Sequence, residues 1–251
     1  MPLLRVVTAN TLLKDPPYRQ RLRHLSTRLS DISPDVVMLQ DVYAEKRSSR
    51  NTADELAGPL GMEGHFFPTR CAEDRLPNGA IDANSGLALL THLPVANAEA
   101  LPLPSHPMDV GRWALFLVIS YYGRDLLFVN LELSPIADGV EYRHQQLMTV
   151  VRHAATAYGN MPTVVGGDFH DTLDSGPVNW LLGQKMLMFG NREHQVSAQG
   201  LGVSRATDFV FGSRECRLTP PVPMFPNVTR FPTAGPTRQK GVFRDLMAVA
   251  A

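Results

Sequence analysis

A chain of 251 residues, 44% hydrophobic and 19% charged, can bury a substantial core and has the length of one α/β domain. Lysine plus arginine and aspartate plus glutamate balance at 24 each, so no global field draws the chain to nucleic acid or to an anionic membrane. The two cysteines, Cys71 and Cys216, form no CxxC pair and argue against a disulfide framework or a thiolate zinc site. The N-terminus MPLLRVVTAN has no long apolar core and no run approaches a membrane span, so the expected location is cytoplasmic.

LRVVTA (4–9) predicts a short buried strand, followed by a polar loop carrying Pro16 and Pro17. From Tyr18 to Ile32, Leu22, Leu25, Leu29 and Ile32 recur at helical spacing, with Arg19, Arg21, Arg23 and Arg28 mostly turned outward, and Pro34 stops the helix. DVVMLQD (35–41) reads as a second buried strand, and a short helix follows over Thr52–Leu60. GLALLT (86–91), ALFLVIS (114–120) and DLLFVNL (125–131) are β-type runs separated by turn residues. Tyr142–Ala157 reads as a helix with Leu147, Val150, Val151 and Ala154 on one side. TVVGGD (163–168) is a strand, PVNWLL (177–182) a short helix and TDFVFGS (207–213) a late strand. Segment 218–242, rich in Pro and Thr, reads as a long surface loop running into a last strand, LMAVAA. No repeat or linker divides the chain, so residues 1–251 are expected to form one domain with mixed parallel and antiparallel strands.

Several of these strands stop at a polar residue. Asn10 follows LRVVTA, Asp41 ends DVVMLQD, Glu132 follows LLFVNL and Asp168 ends TVVGGD, while Asp208 opens FVF and Asp245 precedes LMAVAA. Strand ends present functional groups on rigid elements. Five carboxylates and an asparagine there make a site for a hard cation if the ends share one rim. Turn chemistry alone also places Asp and Asn after strands.

The motifs, taken in order, resemble those of the endonuclease/exonuclease/phosphatase superfamily, divalent-metal phosphoesterases that include deoxyribonuclease I-like nucleases, sphingomyelinases and inositol phosphatases. VVTANTL (6–12) is similar to the family's first strand with its site asparagine, and PDVVMLQDV (34–42) to its PDVV-LQE strand. SGLALLTHLPV (85–95), FVNLEL (128–133) and RHQQLMTVV (143–151) fall where the family has G-A-IL-S-PI, VNTHL and R-Q--L. VVGGDFH (164–170) resembles GDFN, SRATDFVFGS (204–213) the RIDYIF strand, and RDLMAVAA (244–251) the SDH-P-V segment. The resemblance implies a two-sheet α/β sandwich flanked by helices, with mixed sheets and the site on one rim. It implies Mg²⁺ or Mn²⁺ held by Asp41, Asp208 and Asp245, with Asp168 orienting the attacking water. It also implies phosphate contacts from Asn10 and Asn130; Arg143, Arg205 and Arg244 are candidate phosphate contacts on their charge and position in the chain.

The departures from the pattern lie in the site itself. The LQE glutamate is Asp41, the VNTHL histidine is Glu132, the GDFN asparagine is His170, and the SDH histidine is Leu246. A silenced site would leave a module that binds a protein or a phosphorylated ligand. A rewired site would keep hydrolysis, with Asp168, His170, Asp245 and Glu132 as the catalytic set. Acids kept or gained at 41, 132, 168, 208 and 245 and a new imidazole at 170 favour rewiring, since crowded carboxylates require neutralisation. The expected substrate is a phosphorylated small molecule or a nucleic acid, with the balanced charge leaning towards the former. Between Arg205 and Asp245, basic residues interleave with Phe225, Phe231 and Phe243, as a phosphate- and base-contacting wall or as a solvated loop. Arg112 and Arg143 read as further phosphate contacts or, on the plainer reading, as surface residues.

Overall fold

The computed structural model describes residues 3–13, 17–46, 50–71, 83–109, 111–184, 208–218, 222–223 and 241–248. Two sheets face one another. The first has the order β10 (Cys216–Leu218), β12 (Gly241–Ala248), β1 (Leu4–Asn10), β2 (Val36–Glu45), β4 (Ala83–Thr91), β3 (Glu63–Cys71), with β11 (Val222–Pro223) beside β12. The second runs β5 (Val95–Pro102), β6 (Trp113–Tyr121), β7 (Arg124–Glu132), β8 (Thr163–Asp168), β9 (Asp208–Gly212). Pairing is parallel for β1 with β2 and for β7 with β8, and antiparallel elsewhere. This is the two-sheet α/β sandwich with mixed sheets.

Each parallel pair needs a crossover, and a helix supplies it: α1 (Tyr18–Ile32) joins β1 to β2, and α3 (Val140–Tyr158) joins β7 to β8. The helix of each crossover packs on the outer face of its sheet. Leu25, Leu29 and Ile32 of α1, with Leu56 of α2 (Thr52–Leu60), cover Val7, Ala9, Val37 and Leu39. Leu147, Val150 and Ala154 of α3, with Val178 and Leu181 of α4 (Gly176–Gly183), cover Phe116, Val118, Leu127 and Val129. Between the sheets, Leu4, Val6, Val36, Met38, Leu87 and Leu89 meet Leu115, Leu117, Leu126, Phe128, Val164 and Val210. The period-2 alternation of strands thus feeds opposite faces of each sheet into different cores.

Some expectations change. Strands β3 and β5 were not read from the sequence. Pro68 inside β3 weakens its strand pattern, and Pro is tolerated there because β3 is the edge of its sheet. The last strand begins at Gly241, inside the segment expected to be loop, and residues 224–240 lie outside the described residues. Arg21 is buried, not outward: its guanidinium donates to the carbonyls of Thr11, Leu12 and Leu13 and holds the loop leaving β1. Among the described residues, no helix is long and apolar enough to cross a membrane.

Candidate active site

The apolar face between the sheets turns polar at one rim. On β1 the inward positions run Leu4, Val6, Thr8, Asn10, and on β2 they run Val36, Met38, Gln40. On β7 they run Leu126, Phe128, Asn130, Glu132, and on β8 Val164, Gly166, Asp168. β9 is antiparallel to β8, so its first residue, Asp208, stands opposite Asp168, the last residue of β8. Glu132 pairs with Asp168 from the other side, so three acids are contiguous on adjacent strands.

Close approach of β7 and β8 requires glycine at 167, where an added Cβ would lie 1.9 Å from the Leu131 carbonyl oxygen and φ is +147°. Beyond it, Phe169 is buried against Phe209 and Phe211, with ring centroids 5.5 and 5.3 Å away. That anchor turns Asp168 and His170, on either side of it, towards the rim. His170 adopts φ +45°, a left-handed backbone unusual for a residue with a Cβ, and its N–H donates to Asp168 Oδ1 at 3.0 Å. Its Nε2 stands 3.6 Å from Glu132 Oε1 and 3.7 Å from Asp168 Oδ2, distances of charge attraction longer than a hydrogen bond.

Asn10 closes the other side. Its Oδ1 accepts from the Leu12 N–H at 2.8 Å, and its Nδ2 donates to Asp168 Oδ2 at 3.4 Å. Asp41 has the wrong parity for the inward face, and a bulge in β2 between Leu39 and Val42 corrects it, with φ +50° at Asp41. Its carboxylate accepts from Arg70 Nη2 at 3.2 Å, and the same nitrogen donates to Glu132 Oε2 at 3.4 Å. Arg70 Nη1 lies 3.7 Å from Asp109 Oδ1. Arg112 grips Asp109 with two bonds, Nε to Oδ2 at 2.8 Å and Nη2 to Oδ1 at 2.5 Å, while its Nη1 lies 2.8 Å from Glu132 Oε1.

These charges set one another. Burial alone would raise the Glu132 carboxyl, but Arg112, His170 and Arg70 outweigh it and hold the group well below the usual carboxylate range. Burial would lower the His170 imidazole, but Glu132 and Asp168 outweigh it and favour the protonated ring. Burial would likewise raise Asp109, which Arg112 and Arg70 hold down. The site is a network of acids stitched by two guanidinium groups and an imidazole.

Asn10, Asp41, Glu132, Asp168, His170 and Asp208 therefore gather at one rim. Asp245 does not. It pairs with Arg5, five residues down β1 from Asn10, or about 17 Å along the strand. Because β12 is antiparallel to β1, its start at Gly241 reaches the rim and its middle does not. Leu246 is opposite Leu4, further still, and Arg244 is opposite Val6. Asn130 is fully buried, with its Nδ2 committed to the carbonyls of Leu39 and Ala88 at 2.8 Å and its Oδ1 to Gln40 Nε2 at 2.7 Å. It ties the two sheets beneath the site and has no donor left for phosphate. Arg143 is also buried, not at the surface, and donates to Asp171 Oδ2 and to the carbonyls of Ser134 and Ile136. Arg112 is buried as well, at 1% side-chain exposure. Arg205, Arg230, Arg238 and Lys240 of the expected basic wall lie outside the described residues.

Sequence reasoning missed Arg70 and Asp109, and it missed the buried role of Arg112. Their importance comes from Arg70 on β3, Asp109 and Arg112 meeting Glu132 at the rim, which no local pattern reports.

The donors also test the implied divalent cation. Of the implied ligands Asp41, Asp208 and Asp245, the last pairs with Arg5 away from the rim, and Asp41 accepts from an Arg70 nitrogen that also donates to Glu132, the next acid within reach. Among the described residues, no three His, Cys, Asp or Glu side chains form a group that could hold a metal ion. As folded, these residues do not fit Mg²⁺ or Mn²⁺ between Asp41 and Glu132.

Comparison with known proteins bears on the whole arrangement. A family model described as Endonuclease/Exonuclease/phosphatase family matches residues 7–238. Among solved structures, an endonuclease/exonuclease/phosphatase from Beutenbergia cavernae superimposes with a TM-score of 0.77 at 20% identity, covering 100% of this chain and 73% of that one. The human Nocturnin catalytic domain with bound sulfate gives 0.76 at 16% identity, covering 98% of this chain and 93% of that one. A mannosyl-6-phosphatase from Bacteroides thetaiotaomicron gives 0.71 at 13% identity, covering 97% and 99%. A comparison with curated protein sequences finds no match. The chain belongs to the endonuclease/exonuclease/phosphatase family, which supports phosphoester chemistry in general.

Proposed function

We propose that the chain hydrolyses phosphoric esters through a site rewired around Asp168 and His170. The observation that carries this reading is the placement of His170: its ring is 26% exposed at the rim, while Glu132 and Asp168, both within 3.7 Å of Nε2, are buried. A protonated imidazole facing solvent from a bed of carboxylates is a general acid poised for a leaving oxygen. In this reading Asp168 orients a water and accepts its proton as the water oxygen bonds to phosphorus. The ester P–O bond breaks, and the departing alkoxide takes the proton from His170 Nε2. The Asn10 amide and the Arg70 guanidinium, which keeps 11% exposure, are donors for the phosphoryl oxygens.

Balanced net charge favours a small phosphorylated substrate over long duplex nucleic acid. The sulfate bound in the Nocturnin structure supports a tetrahedral anion as ligand of this fold. The divalent-metal step implied by the resemblance is not carried into this reading, because the donors do not fit the ion. A second reading, a silenced module that binds a phosphorylated ligand or a protein, draws on the ion pairing of Asp41 and Glu132 with Arg70.

The test is turnover on a panel of phosphomonoesters and phosphodiesters, comparing wild type with His170→Ala and Asp168→Asn. Each substitution should cut kcat by about two to four orders of magnitude. Full activity in His170→Ala would remove the reading. A wild type without turnover that still binds phosphorylated ligands saturably would establish the silenced module.

A further inference from the structure

We infer that Arg70 takes the place of a divalent cation in this site, so that the carboxylates are neutralised from within the chain and Mg²⁺ or Mn²⁺ is not taken up there. The guanidinium is shared by acids from three separate places: Asp41 on β2, Glu132 at the end of β7, and Asp109 in the segment before β6. Such a position between converging carboxylates is what a hard cation occupies. Arginine fills it with a charge that cannot be deprotonated and with a planar fork of N–H donors.

The route of this side chain is built into the fold. At Gly111, with φ +81°, an added Cβ would lie 2.7 Å from Arg70 Cγ and 2.9 Å from the Thr69 carbonyl oxygen. Glycine there opens the channel through which the Arg70 stem passes. Asp41 adds room at the other end, since it is one methylene shorter than a glutamate. Arg112 then locks the arrangement, because it holds Asp109 in a bidentate pair and Glu132 by a third contact. For a metal ion to enter, Arg70 would have to leave three acids at once, and Asp41 and Glu132 would have to turn from a bound guanidinium to the ion. Simple addition of an ion beside Arg70 would set two positive charges together.

The inference concerns cation occupancy and stands whether or not the chain is a hydrolase, so it is read by binding and not by turnover. Mn²⁺ uptake is followed by the loss of the free-ion paramagnetic resonance signal, with melting temperature recorded in EDTA and in millimolar Mn²⁺. Wild type should show no stoichiometric uptake and equal melting curves. Arg70→Gln, shown to be folded by circular dichroism, should take up one Mn²⁺ per chain at least about tenfold more tightly than wild type and gain melting temperature by mass action. Arg70→Lys, which keeps the positive charge, should exclude the ion as wild type does. Saturable one-to-one uptake by wild type with a rise in melting temperature would overturn the inference, as would uptake by Arg70→Lys. A folded Arg70→Gln that takes up no ion would also overturn it. If Arg70→Gln fails to fold, the wild-type titration and Arg70→Lys still decide.

Discussion

Replacing Arg112 by methionine removes a guanidinium on which two buried carboxylates depend, while keeping most of the side-chain volume. Arg112 is 1% exposed, and its partners Asp109 and Glu132 are 4% and 6% exposed. Deleting one member of a buried pair costs about 3–5 kcal/mol, because the remaining charge stays desolvated. Here Arg70 still stands 3.4 Å from Glu132 and 3.7 Å from Asp109, which places the loss at the lower end, about 3 kcal/mol. With a denaturant slope of about 3 kcal/mol per molar, the urea midpoint should fall by about 1 M. Adding Glu132→Gln to Arg112→Met removes one of the stranded charges and should recover about half of the loss. The pH dependence supplies an internal check. In wild type Glu132 titrates well below its ordinary value of 4.5, so its contribution is present above that value and is lost as pH falls through the lowered one. In Arg112→Met the Glu132 carboxyl moves up and is neutralised sooner on acidification, so the gap between the two proteins should narrow as pH falls. A gap under about 1 kcal/mol at neutral pH, the same at every pH, would refute the reasoning.

His170 carries the opposite sign: its folded value is raised above the ordinary 6.5, so its stabilisation is complete below 6.5 and is lost as pH rises through the raised value. The difference in urea midpoint between wild type and His170→Asn should therefore be largest in mild acid and shrink towards alkaline pH, and a difference independent of pH would exclude the charge pairing with Glu132 and Asp168. Gly167→Ala places a methyl 1.9 Å from the Leu131 carbonyl oxygen on a backbone with φ +147°, and should cost about 3 kcal/mol or more, read as a fall in melting temperature. An unchanged melting temperature would show that β7 and β8 can part without penalty.

Much of the site was legible because its residues obey strand periodicity. On β1, β2, β7 and β8 the inward positions pass from Leu, Val, Met and Phe to Asn, Gln, Glu and Asp without losing register, so a polar end on an apolar face announces a rim. Asp41 breaks the parity and is legible only as the polar end of DVVMLQD, since the bulge that re-aims it leaves no trace in composition. Arg70, Asp109 and Arg112 could not be found in this way. They act through a convergence of Arg70 on β3, Asp109, Arg112 and the end of β7 that sequence spacing does not encode, and the arginines looked like any solvated cation.

Asp208 and Asp245 differ in a way that shows what strand direction adds. Both were read as acids standing just before a strand, and a residue there reaches the rim only if its strand runs away from it. β9 does so: it is antiparallel to β8, and Asp208 opens it beside Asp168, which closes β8. β12 also starts at the rim, but it starts at Gly241, and Asp245 lies inside it opposite Arg5. Moving the start of a strand by five residues carried an acid about 17 Å from the chemistry. Of the described residues of β12, Gly241, opposite Ala9, is the one that stands nearest the rim, while Asp245 and Leu246 lie opposite Arg5 and Leu4.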